Sequence, residues 1–106
     1  MAGQGKAAEA AAEYRQVLKI DPYDAGAHNN LGVALTRQSK AAEAMAEFRQ
    51  ALKTDPNSWA AHGNLGALLA REGKLTEAAA EYRQALRINP NYAQAAHNLS
   101  RVLSGR

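Results

Sequence analysis

Residues 25–58, AGAHNNLGVALTRQSKAAEAMAEFRQALKTDPNS, and residues 59–92, WAAHGNLGALLAREGKLTEAAAEYRQALRINPNY, are one 34-residue unit written twice. Aligned without a gap, the two copies agree at 18 of 34 positions. The pattern overruns both: residues 5–24 match the second half of the unit, and residues 93–106 match its first half. A fixed period of this length marks a stacked array, in which no unit buries its apolar face alone.

Within the unit, the spacing predicts two helices and two short turns. Ala27, Leu31, Ala34 and Leu35 recur three or four residues apart, and Ala61, Leu65, Leu68 and Leu69 repeat the pattern. Gln38-Ser39-Lys40 and Glu72-Gly73-Lys74 follow as turns, where Gly73 suits a left-handed residue and Ser39 suits it less well. The second helices then carry acids early (Glu9, Glu43, Glu77) and bases late (Lys19, Lys53, Arg87), as the helix dipole favours. Pro22, Pro56 and Pro90 end them, and Asp24, Ser58 and Asn91 are expected to cap the next helix. The expectation is six helices, at 6–20, 24–38, 41–53, 58–72, 75–87 and 91–104, with sequential neighbours antiparallel.

Composition agrees with close-packed helices. Apolar residues make up 46% of the 106, with alanine prominent and β-branched residues scarce. The 13 basic and 10 acidic residues are interleaved, giving a net charge of +3 without a basic run, which argues against a nucleic-acid partner. Cysteine is absent, so thiolate metal sites, disulfides and cysteine nucleophiles are excluded. No cofactor motif is present. The opening MAGQGKAAEAAAEY lacks the apolar core of a signal peptide, and no run is long enough for membrane insertion; the expectation is a cytoplasmic protein.

Residues His28, Leu31, Gly32, Leu35, Ala44, Phe48, Ala51 and Pro56 stand where the tetratricopeptide repeat (TPR) family has its preferred residues. His62, Leu65, Gly66, Leu69, Ala78, Tyr82, Ala85 and Pro90 repeat the set, so the chain resembles that family over essentially its whole length. The leading half supplies Ala10, Tyr14, Val17 and Pro22, and the trailing half Ala96, Leu99, Ser100 and Leu103, with serine in place of the glycine. The resemblance implies an all-α solenoid of antiparallel helix pairs in a right-handed superhelix. It divides residues 1–106 as one array: a half repeat at 5–24, full repeats at 25–58 and 59–92, and a half repeat or capping helix at 93–106.

TPR arrays resemble one another as protein-interaction scaffolds whose first helices line a concave groove. Carried over residue by residue, that groove would include Asn29, Asn30 and Arg37, then Gly63, Asn64 and Arg71, then His97, Asn98 and Arg101. Asn30, Asn64 and Asn98 share one repeat position, similar to the asparagine ladder in the TPR region of O-GlcNAc transferase; such a column can pair with any extended peptide backbone. The alternative is that these amides bond a neighbouring repeat. The arginines would favour an acidic or C-terminal carboxylate ligand, the alternative being that they are solvated surface residues. The dicarboxylate clamp of chaperone-binding TPRs is matched only at Asn64, since Asn29, Val33, Gln94 and Asn98 replace its other members; this argues against a chaperone-tail receptor.

Catalysis has no support: His28 and His62 recur with the repeat and suit packing, Glu47 and Glu81 are expected on exposed faces, and Trp59 is expected to pack. The reading is a non-catalytic scaffold binding an extended peptide or partner helix. Two alternatives remain. One is head-to-tail self-association through terminal faces carrying Ala8, Ala11, Ala12, Tyr14 and Leu18 at one end and Leu99, Val102 and Leu103 at the other. The other is the TPR segment of a larger enzyme such as a glycosyltransferase.

Overall fold

The computed structural model describes residues 2–105, with side chains from residue 5 onward. Among these residues there are six α-helices and no strand: α1 (Ala2–Ile20), α2 (Ala25–Arg37), α3 (Ala41–Thr54), α4 (Trp59–Arg71), α5 (Leu75–Ile88) and α6 (Ala93–Leu103). No helix among the described residues is long and apolar enough to cross a membrane.

The helix limits follow local chemistry. Asp24 and Ser58 cap α2 and α4 by accepting the amides of Ala27 and Ala61 at 3.0 and 3.2 Å. The third expected cap is displaced by one residue. Tyr92, which holds the repeat position of Asp24 and Ser58, starts α6 without a side-chain bond, while the Asn91 amide donates to Asn89. The first helix also begins at Ala2 rather than at Lys6; Gly5 weakens a helix without ending it. At the turn after α2 and α4, Ser39 and Gly73 both adopt positive φ, 62° and 79°. That conformation is natural for glycine and costs serine about 1 kcal/mol. Ser39 is held there because the Lys40 amide returns to the Leu35 carbonyl at 2.9 Å.

Contacts group the chain into two compact units, the first ending at Pro56 and the second starting at Asn57. In the first unit α2 packs against both α1 and α3; in the second, α5 packs against both α4 and α6. The first core contains Ala11, Leu31, Leu35, Ala44, Phe48 and Ala51, all essentially without solvent exposure. Leu65, Leu69, Ala78, Tyr82, Ala85 and Ala95 form the second. The terminal faces named for self-association are partly bare. Ala8, Ala12 and Leu103 are exposed, but Ala11 and Val102 are buried and Tyr14, Leu18 and Leu99 are half-buried, because a helix turns only one stripe away from its neighbour.

The α2–α3 and α4–α5 pairs each close on a glycine. A Cβ placed on Gly32 would lie 2.5–2.9 Å from the Phe48 ring, and one on Gly66 would lie 3.0–3.2 Å from the Tyr82 ring. Alanine gains about 1 kcal/mol over glycine in a helix, whereas overpacking a core costs about 1–3 kcal/mol. The two effects nearly cancel at Gly66, where the ring need shift only slightly. At Gly32 the clash wins, because Phe48 is 1% exposed and has nowhere to go. Gly32→Ala should therefore destabilise the chain by about 1–2 kcal/mol in urea unfolding, and Gly66→Ala by less than about 0.5 kcal/mol. Equal effects would contradict the packing described.

Candidate functional site

The first helices carry the candidate residues, and each unit has a notch beside them. In the second unit α4 contributes Ala67, Ala70 and Arg71, spaced so that they share a helix face. Helix α5 adds Tyr82, and α6 adds Asn98, Arg101 and Val102. The notch has a volume of about 310 Å³. Its floor is apolar, its rim holds two exposed guanidinium groups, and no acid lines it.

The first unit repeats the arrangement in a notch of about 340 Å³, built from Lys6, Ala7, Ala10 and Tyr14 on α1 and Asn30, Val33, Ala34 and Arg37 on α2. Tyr14, Asn30, Val33 and Ala34 stand two repeats before Tyr82, Asn98, Arg101 and Val102. The same tyrosine-beside-asparagine corner is thus made twice. Its cations differ: Lys6 and Arg37 in one notch, Arg71 and Arg101 in the other.

The structure thus joins Arg71, Asn98 and Arg101 in one notch and Asn30 with Arg37 in the other. Asn29, Asn64 and His97 line neither: the two asparagines are half-buried on α2 and α4, and His97 is exposed on α6. Asn98 is hydrogen-bonded through its side chain to Tyr82, a side chain of the preceding helix rather than a backbone group. Burial pushes the Tyr82 phenol above its ordinary pKa of 10.0, against smaller downward pulls from the Asn98 hydrogen bond and the Arg101 charge. Burial raises Tyr92 in the same way.

Sequence reasoning missed Tyr14, Tyr82 and Lys6 as walls of these notches. The available signal was the hydroxyl: the repeat has Phe48 between two tyrosines, and a buried phenol requires a partner. Gly63, expected to face the groove, is instead roofed by Tyr92, whose Oη would lie 2.6 Å from a Cβ there. The Tyr92 ring meets Trp59 edge-on with centroids 4.8 Å apart, so the chain entering α6 folds back over the start of α4. On α2, the Thr36 hydroxyl donates to the Gly32 carbonyl of its own helix, 2.9 Å away.

Glu47 and Glu81 are not on open faces. Their carboxylates reach Nδ1 of His28 and His62 at 2.6 and 2.7 Å, tying the two helices of each repeat together. Nε2 of His28 meets the Pro22 carbonyl at 2.8 Å. His28 and His62 are packed bridges, with both ring nitrogens of His28 and Nδ1 of His62 held by structural partners.

A family model described as tetratricopeptide repeat matches residues 2–58 and 37–93. A search of curated proteins finds no significant match. Among solved structures, the first TPR of Spaghetti (RPAP3) bound to the HSP90 peptide SRMEEVD superposes with a TM-score of 0.91 at 28% identity, over 96% of this chain and 81% of that one. The second TPR domain of human RPAP3, in complex with the HSP70 peptide SGPTIEEVD, gives 0.85 at 28% identity, over 92% and 82%. A Thermobaculum terrenum O-GlcNAc transferase mutant gives 0.88 at 26% identity, over 95% of this chain but 19% of that one.

The raised tyrosines define an alkaline limit. The unfolded phenols lose their protons near 10.0 and the folded ones only at higher pH, so the stability they provide is complete below pH 10 and is lost as pH rises through the folded values. Chemical denaturation should show stability falling above about pH 10, and less steeply in Tyr82→Phe. An identical alkaline slope in the variant would contradict the assignment.

Proposed function

The chain belongs to the tetratricopeptide repeat family, and we propose that it is a non-catalytic scaffold whose first-helix faces on α2, α4 and α6 hold an extended peptide or a partner's helix. The observation that carries this reading is the recurrence of one kind of notch in both units. Each combines an apolar floor, an asparagine amide and cationic rims, a surface suited to a polypeptide with alternating contacts. Two of the similar structures hold peptides on domains of the same fold. His28 and His62, already committed to Glu47, Glu81 and the Pro22 carbonyl, support a non-catalytic role.

The contacts assigned to a ligand are Asn30, Asn64 and Asn98 for its backbone, with Asn29, Arg37, Arg71, His97 and Arg101 around them. The whole of residues 1–106 serves as one array in this reading. A peptide selected from a random phage-displayed library by the intact chain supplies the test. Asn30→Ala with Asn64→Ala should weaken its binding by about tenfold in fluorescence anisotropy, corresponding to two lost amide contacts. Helix content measured by circular dichroism should stay unchanged. Undiminished binding by the variant would refute the assignment.

A further inference from the structure

We infer that the groove between α5 and α6 seats helix α1 of a second copy of this chain, so that copies join head to tail. The inference concerns the two ends of the molecule and does not depend on the peptide-binding reading. The repeat supplies the template. Leu75, Ala79 and Arg83 on α5, with Val102 and Leu103 on α6, line a groove of about 230 Å³. Two repeats earlier stand Ala7, Ala11 and Arg15 on α1, with Ala34 and Leu35 on α2. In the first unit α3 packs on α2, and its Glu43 pairs with Arg15 at 3.9 Å. There Leu35 is 1% exposed, whereas Leu103, at the same repeat position, is 60% exposed. The second unit has no counterpart of α3 among its described residues, and its groove stands open.

Helix α1 carries the face that fits. It is the same half of the repeat as α3, so Glu9, Ala10, Tyr14 and Val17 hold the positions of Glu43, Ala44, Phe48 and Ala51. In α3 the last three of these are buried, with Phe48 over Gly32. In α1, Ala10 and Tyr14 are half-buried and Val17 is exposed, so that stripe has apolar surface still to cover. Charge completes the match. Glu9 and Arg83 are both exposed, and neither belongs to an ion pair among the described residues. Seated as α3 is seated, α1 of the second copy brings Glu9 to Arg83 as Glu43 comes to Arg15. Its Tyr14 then lies over Ser100, which stands at the repeat position of Gly66. A Cβ at Gly66 lies 3.0–3.2 Å from the Tyr82 ring, so a slight shift of the ring admits the serine. The first notch is completed by the same contact. Helices α1 and α2 alone line it, whereas α4 adds a third wall to the second notch. In the joined pair α6 of the neighbouring copy takes the place of that wall. The contact sets a groove against a helix, so it is heterologous and runs on to a ring or a filament.

Light scattering on the intact chain should give a mass that rises with concentration. Val17→Glu and Leu103→Glu each put a charge at an exposed position. Each variant alone should stay monomeric, with helix content unchanged by circular dichroism. An equimolar mixture of the two should form a dimer and nothing larger, because one intact groove then meets one intact α1. Glu9→Arg and Arg83→Glu should each weaken association about threefold, and the chain carrying both should regain the native affinity. A single-copy mass at every concentration overturns the proposal, and the groove then has another occupant. It is equally overturned by a mixture of the two glutamate variants that stays monomeric, or by a charge exchange that fails to restore association. A dimer that either glutamate variant forms alone contradicts the head-to-tail geometry.

Discussion

The closest constraint in the molecule is the contact between a glycine on the first helix of a repeat and an aromatic ring on the second. Gly32 under Phe48 and Gly66 under Tyr82 leave no room for a Cβ without displacement of the ring. That approach sets how near the paired helices lie, and the alanines Ala44, Ala51, Ala78 and Ala85, each without exposure, are small for the same reason. Around this contact the His28–Glu47 and His62–Glu81 bridges add a polar tie at the other edge of each pair.

Functional surface follows from the same geometry. With the large ring turned inward over a glycine, the notch wall of α4 is made of small and polar residues, Ala67, Ala70 and Arg71. Its neighbour helix then leaves a notch instead of filling it. Tyr82 serves both purposes: its ring packs on Gly66, and its hydroxyl reaches the notch and is bonded to Asn98. Phe48 can perform only the first of these. The repeat thus varies its chemistry at a single atom while preserving its packing.

Much of the fold was legible in the sequence because a repeat states each rule twice. The helix pairs, the proline stops, the caps at Asp24 and Ser58, and the left-handed turn at Gly73 were all read from local chemistry. What escaped depended on contacts between segments distant in sequence. The cap of α6 moved from Asn91 to Tyr92 because repeat register outweighed the intrinsic preference of asparagine. Gly63 proved to be a seat for the Tyr92 ring, and Glu47 and Glu81 turned inward, since helix periodicity alone does not say which residue arrives opposite. Among the residues that line the notches, Asn30, Arg37, Arg71, Asn98 and Arg101 were named from repeat position. Lys6 and the two tyrosines were not, because they approach the notch from the neighbouring helix.

A double-mutant cycle on Gly32 and Phe48, followed by urea unfolding, measures the glycine–ring contact directly. If that contact limits the helix pair, Gly32→Ala will cost less in a Phe48→Leu background than in the native chain, with a coupling of at least about 0.5 kcal/mol. Strictly additive effects would mean that the ring does not sense the added methyl group. The spacing of the helices would then have to be set by something else.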